Sequence, residues 1–178
     1  MLFDKPSKLQ DGRYFLKIST DDGGRVMHQV NNVKFYTESL VPSDTTLFSD
    51  IDEAIVTQAK ESKVAWFGKE ISDETVTSAY QKSISLEGEL SASFASIKGD
   101  VVTTCYDTQK NKVELDTITA GTPVDVLLEL VGLVFTKRSF EPVWKMIQVR
   151  VKSAPKPRFP REYLFKDDVE PEEEDIDL

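Results

Sequence analysis

The sequence predicts a mainly β domain over residues 1–152 with one or two short helices, a Pro-rich basic linker over 153–166 and an acidic tail over 167–178. Three observations carry this. Apolar residues alternate with a period of two through much of 12–36 and 84–152, as half-buried strands require. Between about 49 and 80 the spacing becomes helical. Clusters of Gly, Pro, Asn and Asp punctuate the runs at turn positions.

The first strand is expected over 12–20, where Tyr14, Leu16 and Ile18 share a face. Asp21-Asp22-Gly23-Gly24 is a hairpin-turn signal, since glycine reaches positive φ at little cost. A second run, 25–36, is interrupted by Asn31-Asn32, either a bulge or a second turn. Ser49 reads as a helix cap, with Asp52 and Glu53 in the first turn and Ile51, Ala54, Ile55 and Gln58 following to about Lys63. Trp66-Phe67-Gly68 ends that segment. Ser72-Asp73-Glu74 starts a shorter helix, with Val76 and Tyr80 on one face. Further strands are expected over 84–86, 90–97, 100–107 and 112–118, with a hairpin loop at Gln109-Lys110-Asn111 and a break at Gly121-Thr122-Pro123. The strongest pair is 124–136 with 143–152. In the last strand Val143, Lys145, Ile147, Val149 and Val151 are expected inward. Trp144, Arg150 and Lys152 then face out. Three prolines in Pro155–Pro160 make the next segment an extended linker, and the residues from Asp167 on should be disordered.

Charge is unevenly placed. Residues 137–166 hold nine bases (Lys137, Arg138, Lys145, Arg150, Lys152, Lys156, Arg158, Arg161, Lys166) against Glu141 and Glu162. The tail holds eight carboxylates and no base: Asp167, Asp168, Glu170, Glu172, Glu173, Glu174, Asp175 and Asp177. Of the net charge of −9, the tail supplies −8, so the remaining 166 residues carry −1. A basic segment running into an acidic tail points to a polyanion site with a tethered competitor. The tail's end, Ile176 and Leu178 among acids, suits an apolar pocket beside basic residues.

Composition excludes several chemistries. With one histidine and one cysteine, a single chain cannot build the usual Cys/His zinc site, and no metal or cofactor is expected. Cys105 lies in a strand pattern and reads as a buried small residue; His28, between Val26 and Val30, reads as structural or surface. Asp50, Asp52 and Glu53, like Asp21-Asp22, lack calcium-loop spacing and are explained by helix and turn chemistry. Gly88 and Gly99 form no phosphate loop, and no Gly-Lys-Ser/Thr motif occurs. The reading is non-enzymatic. No stretch approaches the roughly 18 apolar residues of a membrane span, and Met1-Leu2-Phe3-Asp4-Lys5-Pro6 has no signal-type apolar region. A cytoplasmic or nuclear protein is expected.

Cations and aromatics occur together at Lys34-Phe35-Tyr36, at Trp66-Phe67-Gly68-Lys69 and through 135–140. Single-stranded nucleic acid is held by stacking on aromatics and steering of phosphates. The competing reading is ordinary: a β domain needs core aromatics, and Lys or Arg on alternate positions is a solvated face. On that view the chain is a protein-interaction or structural module.

Ser62-Lys63-Val64-Ala65-Trp66-Phe67-Gly68-Lys69, followed by Ile71-Ser72-Asp73-Glu74 and Tyr80, resembles a motif of single-stranded DNA-binding proteins of nucleocytoplasmic large DNA viruses. The hairpin from Leu130 through Phe140 to Val151 and the acidic tail agree. That family is similar to podophage-type replicative single-stranded DNA-binding proteins. The resemblance implies an OB-fold-like, partly open β-barrel that binds single-stranded DNA in replication, recombination or repair within an infected cell, cytoplasmic or nuclear. It implies a tail that recruits polymerase, helicase or primase and competes with DNA; a homodimer is an allowed assembly. One departure is Leu178, where tails of bacterial and phage members generally end in an aromatic. Phosphate contacts are expected from Lys34, Lys137, Arg138, Arg150 and Lys152, and stacking from Tyr36, Phe140 and Trp144; Trp66 is expected in the core.

Overall fold

The structure, a computed structural model, describes residues 1–152; the linker (153–166) and the tail (167–178), with every expectation placed on them, lie outside the described residues. Strands β1 (Leu2–Phe3), β2 (Ser7–Lys8), β3 (Tyr14–Ser19), β4 (Val26–Phe35) and β5 (Ser39–Pro42) precede helices α1 (Thr46–Glu61), α2 (Lys63–Phe67) and α3 (Asp73–Ala79). The chain returns to short strands β6 (Leu90–Ser91), β7 (Ser93–Phe94), β8 (Ser96–Ile97), β9 (Asp100–Val101), β10 (Thr104–Tyr106) and β11 (Lys112–Val113). The long strands β12 (Thr122–Phe135) and β13 (Phe140–Val151) follow.

The β12–β13 hairpin is the spine. One edge of β12 carries β4 and then β3, both antiparallel to it. The outer edge of β13 carries β7 and β10, both parallel. Strand β5 extends the sheet beyond β4, and Leu90–Phe94 crosses from β5, through β6, to β13, through β7. The sheet thus curls round with only two-residue ladders spanning the seam, so the mainly β, partly open barrel expected from the sequence holds.

Four local expectations are corrected. The strand expected over 84–86 is reduced to a bridge at Ile84, and those over 90–97 and 100–107 are broken into β6, β7 and β8 and into β9 and β10. Asp21–Gly24 does not make a hairpin between β3 and β4. Thr20 and Gly23 close a tight excursion (Thr20 N–H to Gly24 O, 3.0 Å; Gly23 N–H to Thr20 O, 2.8 Å), and the chain resumes along the same neighbour, β12. Helix α1 begins a turn before Ser49, where Asp44 accepts the Thr46 N–H at 2.9 Å. At sixteen residues it is longer than foreseen, and Phe48, Ile51, Ile55 and Ala59 form its buried stripe. The strand expected over 112–118 stops at Val113 and gives way to a 3-10 turn, Leu115–Thr117. Other readings hold: Asn31-Asn32 is a bulge opposite Asp125, Ser72 caps α3 by accepting the Thr75 N–H, and Cys105 is buried.

The alternation of β13 is broken. Leu127 pairs with Gln148 but Leu128 pairs with Met146, leaving Ile147 as an extra residue. A bulge reverses which alternate positions face inward. Trp144 and Met146 therefore enter the core from one half of the strand, and Val149 and Val151 from the other. The unbroken inward face through Val143 and Lys145 is replaced by this split one.

A polar cluster joins α1 to the barrel. Asp52, buried in mid-helix, accepts hydrogen bonds from the Tyr80 hydroxyl (2.7 Å), the Ser83 N–H (3.0 Å) and the Ser83 hydroxyl (2.6 Å). Ser83 Oγ in turn accepts the Trp144 indole N–H at 3.2 Å. Asp52 is thus a buried acceptor, not a first-turn charge. Burial and this bond together push the Tyr80 phenol far above its ordinary range.

Candidate nucleic-acid interface

The tip of the β12–β13 hairpin is four residues long. Thr136 N–H donates to Ser139 O at 2.8 Å, and the Thr136 hydroxyl accepts from the backbone N–H groups of Arg138 (3.3 Å) and Ser139 (3.1 Å). This threonine turn fixes the backbone under Lys137 and Arg138 and leaves both side chains exposed. Below it, Phe135 and Phe140 stack at 5.4 Å, and Phe67 meets both rings edge-on at 5.8 and 5.4 Å. Trp66 packs on Phe135 and on Phe3.

Helix α2 ends against this aromatic floor. Gly68 is left-handed (φ 71°), a conformation that favours glycine, and its N–H bonds to Val64 O at 3.0 Å. The chain then turns to bring Lys69 and Ile71 over the floor. Strand β3 contributes Tyr14, 45% exposed and opposite Phe135 in the ladder. Together these elements enclose a cleft of about 540 Å³. It is lined by Tyr14, Trp66, Phe67, Phe135 and Phe140, with Lys69, Lys137 and Arg138 as its cations and no carboxylate among the described lining residues. Such a site suits an anion bearing a flat apolar group.

The other expected cations lie elsewhere. Phe140, next to the tip, and Arg150 are ten residues apart along β13, roughly 30 Å at about 3.3 Å per residue with one residue taken up by the Ile147 bulge. At the hairpin base, Lys34 is exposed on β4 and Tyr36 is half-buried just beyond it. Arg150 and Lys152 are exposed, but both are engaged. Asp125 Oδ2 accepts from Arg150 at 2.6 Å, and Asp125 Oδ1 lies 3.1 Å from the Lys152 ammonium. Six of the eight expected contact residues thus fall in two clusters, Lys137 and Arg138 at the tip and Lys34, Tyr36, Arg150 and Lys152 at the base of the hairpin.

Phe140 and Trp144 are corrected as stacking residues. They are 1% and 2% exposed and cannot present a face to a base. Phe140 sits between Tyr80, Phe67 and Phe135; Trp144 lies edge-on to Phe48 and holds Ser83. Trp66, expected in the core, is there.

The sequence pattern of the family of unknown function DUF5871 matches residues 25–167. The chain belongs to that family. Its description names no activity. No curated protein matches the chain. Among solved structures, a single-stranded DNA-binding protein from bacteriophage Enc34 is similar over 92% of this chain and 96% of that one, with 15% identity and a TM-score of 0.47. A likeness of that degree assigns no function. The family match starts at residue 25, so Tyr14 comes from outside it, while Lys69, Lys137 and Arg138 lie within it.

The sequence reading did not assign Lys69, Tyr14 or Phe67 to a contact surface. Lys69 and Phe67 were in view, since they stand in the Trp66-Phe67-Gly68-Lys69 run. Tyr14 gave no signal, because only the docking of β3 beside β12 places it at the hairpin tip.

Proposed function

We propose that this chain binds single-stranded DNA without reading sequence, with the hairpin-tip cleft as the contact, and that it is a binding protein rather than an enzyme. One observation carries the proposal: three cations and partly open aromatics converge there, with no carboxylate among the described lining residues. Lys69, Lys137 and Arg138 would steer phosphates, and Tyr14 and Phe67 would offer ring faces or edges to bases. Base–aromatic stacking contributes about 1–3 kcal/mol per base whatever the base, so the site needs no sequence code. Lys34 and Tyr36 at the hairpin base are a second, weaker contact.

The wider role follows the resemblance: replication, recombination or repair of viral DNA, with the acidic tail recruiting polymerase, helicase or primase and competing with DNA for the basic surface. Removal of residues 167–178 should raise DNA affinity at low salt; unchanged affinity and salt dependence would contradict the competition.

The direct test is fluorescence anisotropy of labelled oligo-dT with the full chain across a salt series. Micromolar or tighter binding that weakens with salt supports the reading. Absence of binding by the folded chain at low salt defeats it and favours a β-rich protein-interaction module. Competition between matched DNA and RNA strands decides which nucleic acid is preferred.

A further inference from the structure

The carboxylate of Asp125 fills what is otherwise an anion site. Three residues donate to it, one on β13, one just after β13 and one on β4. From β13, Arg150 Nε and one of its terminal nitrogens reach Oδ2 at 3.2 and 2.6 Å. Beyond the end of β13, the Lys152 ammonium lies 3.1 Å from Oδ1. From β4, the backbone N–H of Asn32 donates to Oδ1 at 3.1 Å.

The backbone is shaped for this. Asn31 and Asn32 bulge opposite Asp125, and Asn32 takes a left-handed φ of 58°, which asparagine tolerates better than most residues. The Asn32 side chain also accepts from Lys152. Asp125 is the direct cross-strand partner of Arg150, and its side chain is only 9% exposed, while Arg150 keeps 54% and Lys152 34%. Burial raises the Asp125 pKa, but the bonds from Arg150, Asn32 and Lys152 outweigh it and hold the carboxyl below its ordinary range. A guanidinium, an ammonium and a backbone amide around one carboxylate are the groups that bind a phosphate oxygen elsewhere.

The geometry points to Asp125 as a built-in anion that occupies the hairpin-base cations and withholds Arg150 and Lys152 from DNA. This rests on the single-stranded DNA reading. It adds a specificity-determining residue: with Asp125 in place, phosphates are held chiefly at the hairpin tip, about 30 Å away along β13. The base cluster then ranks partners by how well they outcompete a carboxylate already seated, so a dense polyanion gains more from it than an isolated phosphate.

The test is a double-mutant set, Asp125→Asn, Arg150→Gln and the pair, read by anisotropy with labelled dT30 over a salt series, with circular dichroism as the folding check. In the wild-type background Arg150→Gln is expected to change affinity by less than about twofold. Asp125→Asn is expected to tighten binding several-fold and to steepen the salt slope by about 0.7 for each phosphate newly held. In the Asp125→Asn background, Arg150→Gln should then remove most of that gain. A merely structural role for Asp125 would weaken binding or leave it unmoved. The inference is overturned if Arg150→Gln alone costs tenfold, or if folded Asp125→Asn binds no tighter. Should Asp125→Asn not fold, the Arg150→Gln arm still decides. Failure of the wild-type chain to bind dT30 at all would instead overturn the DNA reading.

Discussion

At the scale of single residues, the structure turns on a few crowded or polar positions. Gly132 is one. A Cβ there would lie 2.1 Å from the Leu16 carbonyl oxygen and 2.6 Å from the Phe15 ring, so the β12–β3 ladder has room only for hydrogen. Gly132→Ala should cost about 3 kcal/mol or prevent folding, since backbone cannot move aside as a flexible side chain can; urea unfolding measures it. Asp52 is another. Asp52→Ala would leave the Tyr80 hydroxyl and the Ser83 N–H buried without an acceptor, an expected loss of about 3 kcal/mol. His28 gives a pH dependence. Burial holds its pKa below the usual value near 6.5, and its buried Nε2 has no partner among the described residues. The unfolded chain takes up a proton near pH 6.5 that the folded chain takes up only at lower pH. Stability should therefore fall as pH drops from about 6.5 toward the folded pKa, and level off below it. The melting temperature should drop between pH 7.5 and 5.5 by less in His28→Gln than in the wild type. Equal drops would show that His28 is not responsible.

At the scale of elements, what could be read in the sequence was whatever depends on local period. The long strands, the cap of α3 and the Asn31-Asn32 bulge follow from alternation, capping chemistry and a paired-asparagine interruption. The bulge at Ile147 left no such mark, because Ile147 is apolar and sits in an apparently regular alternation. That one residue moved Trp144 from the expected groove into the core. The consequence is testable. Trp144→Phe should lower stability by about 1–2 kcal/mol through the missing Ser83 bond and the smaller ring, and leave dT affinity unchanged when folded. A tenfold loss of affinity with unchanged stability would restore Trp144 to the binding surface. The false hairpin at Asp21–Gly24 has a similar cause. A Gly-Gly turn signal reports that the chain bends, not which neighbour it rejoins.

At the scale of the whole molecule, charge and topology divide the labour. The chain's last twelve residues hold nearly all of its net negative charge, and among the described residues Lys137 with Arg138 and Arg150 with Lys152 fall at the two ends of one hairpin. At the base, Asp125 cancels much of that charge within the fold. At the tip, α2 and β3 bring Lys69 and Tyr14 to Lys137 and Arg138. The tip cations of the hairpin were legible as a sequence cluster; the assembly of the cleft was not, because it joins residues from 14 to 140 through ladders that no short-range pattern encodes. The cleft is the proposed DNA contact. Its most direct test is the salt slope of dT30 binding for the triple variant Lys69→Gln, Lys137→Gln, Arg138→Gln against the wild type. If the cleft holds phosphates, affinity falls at least tenfold and the slope flattens by about 0.7 for each phosphate no longer neutralised, roughly 2 in all. A folded triple variant with the wild-type affinity and slope would show that DNA is not held at the cleft.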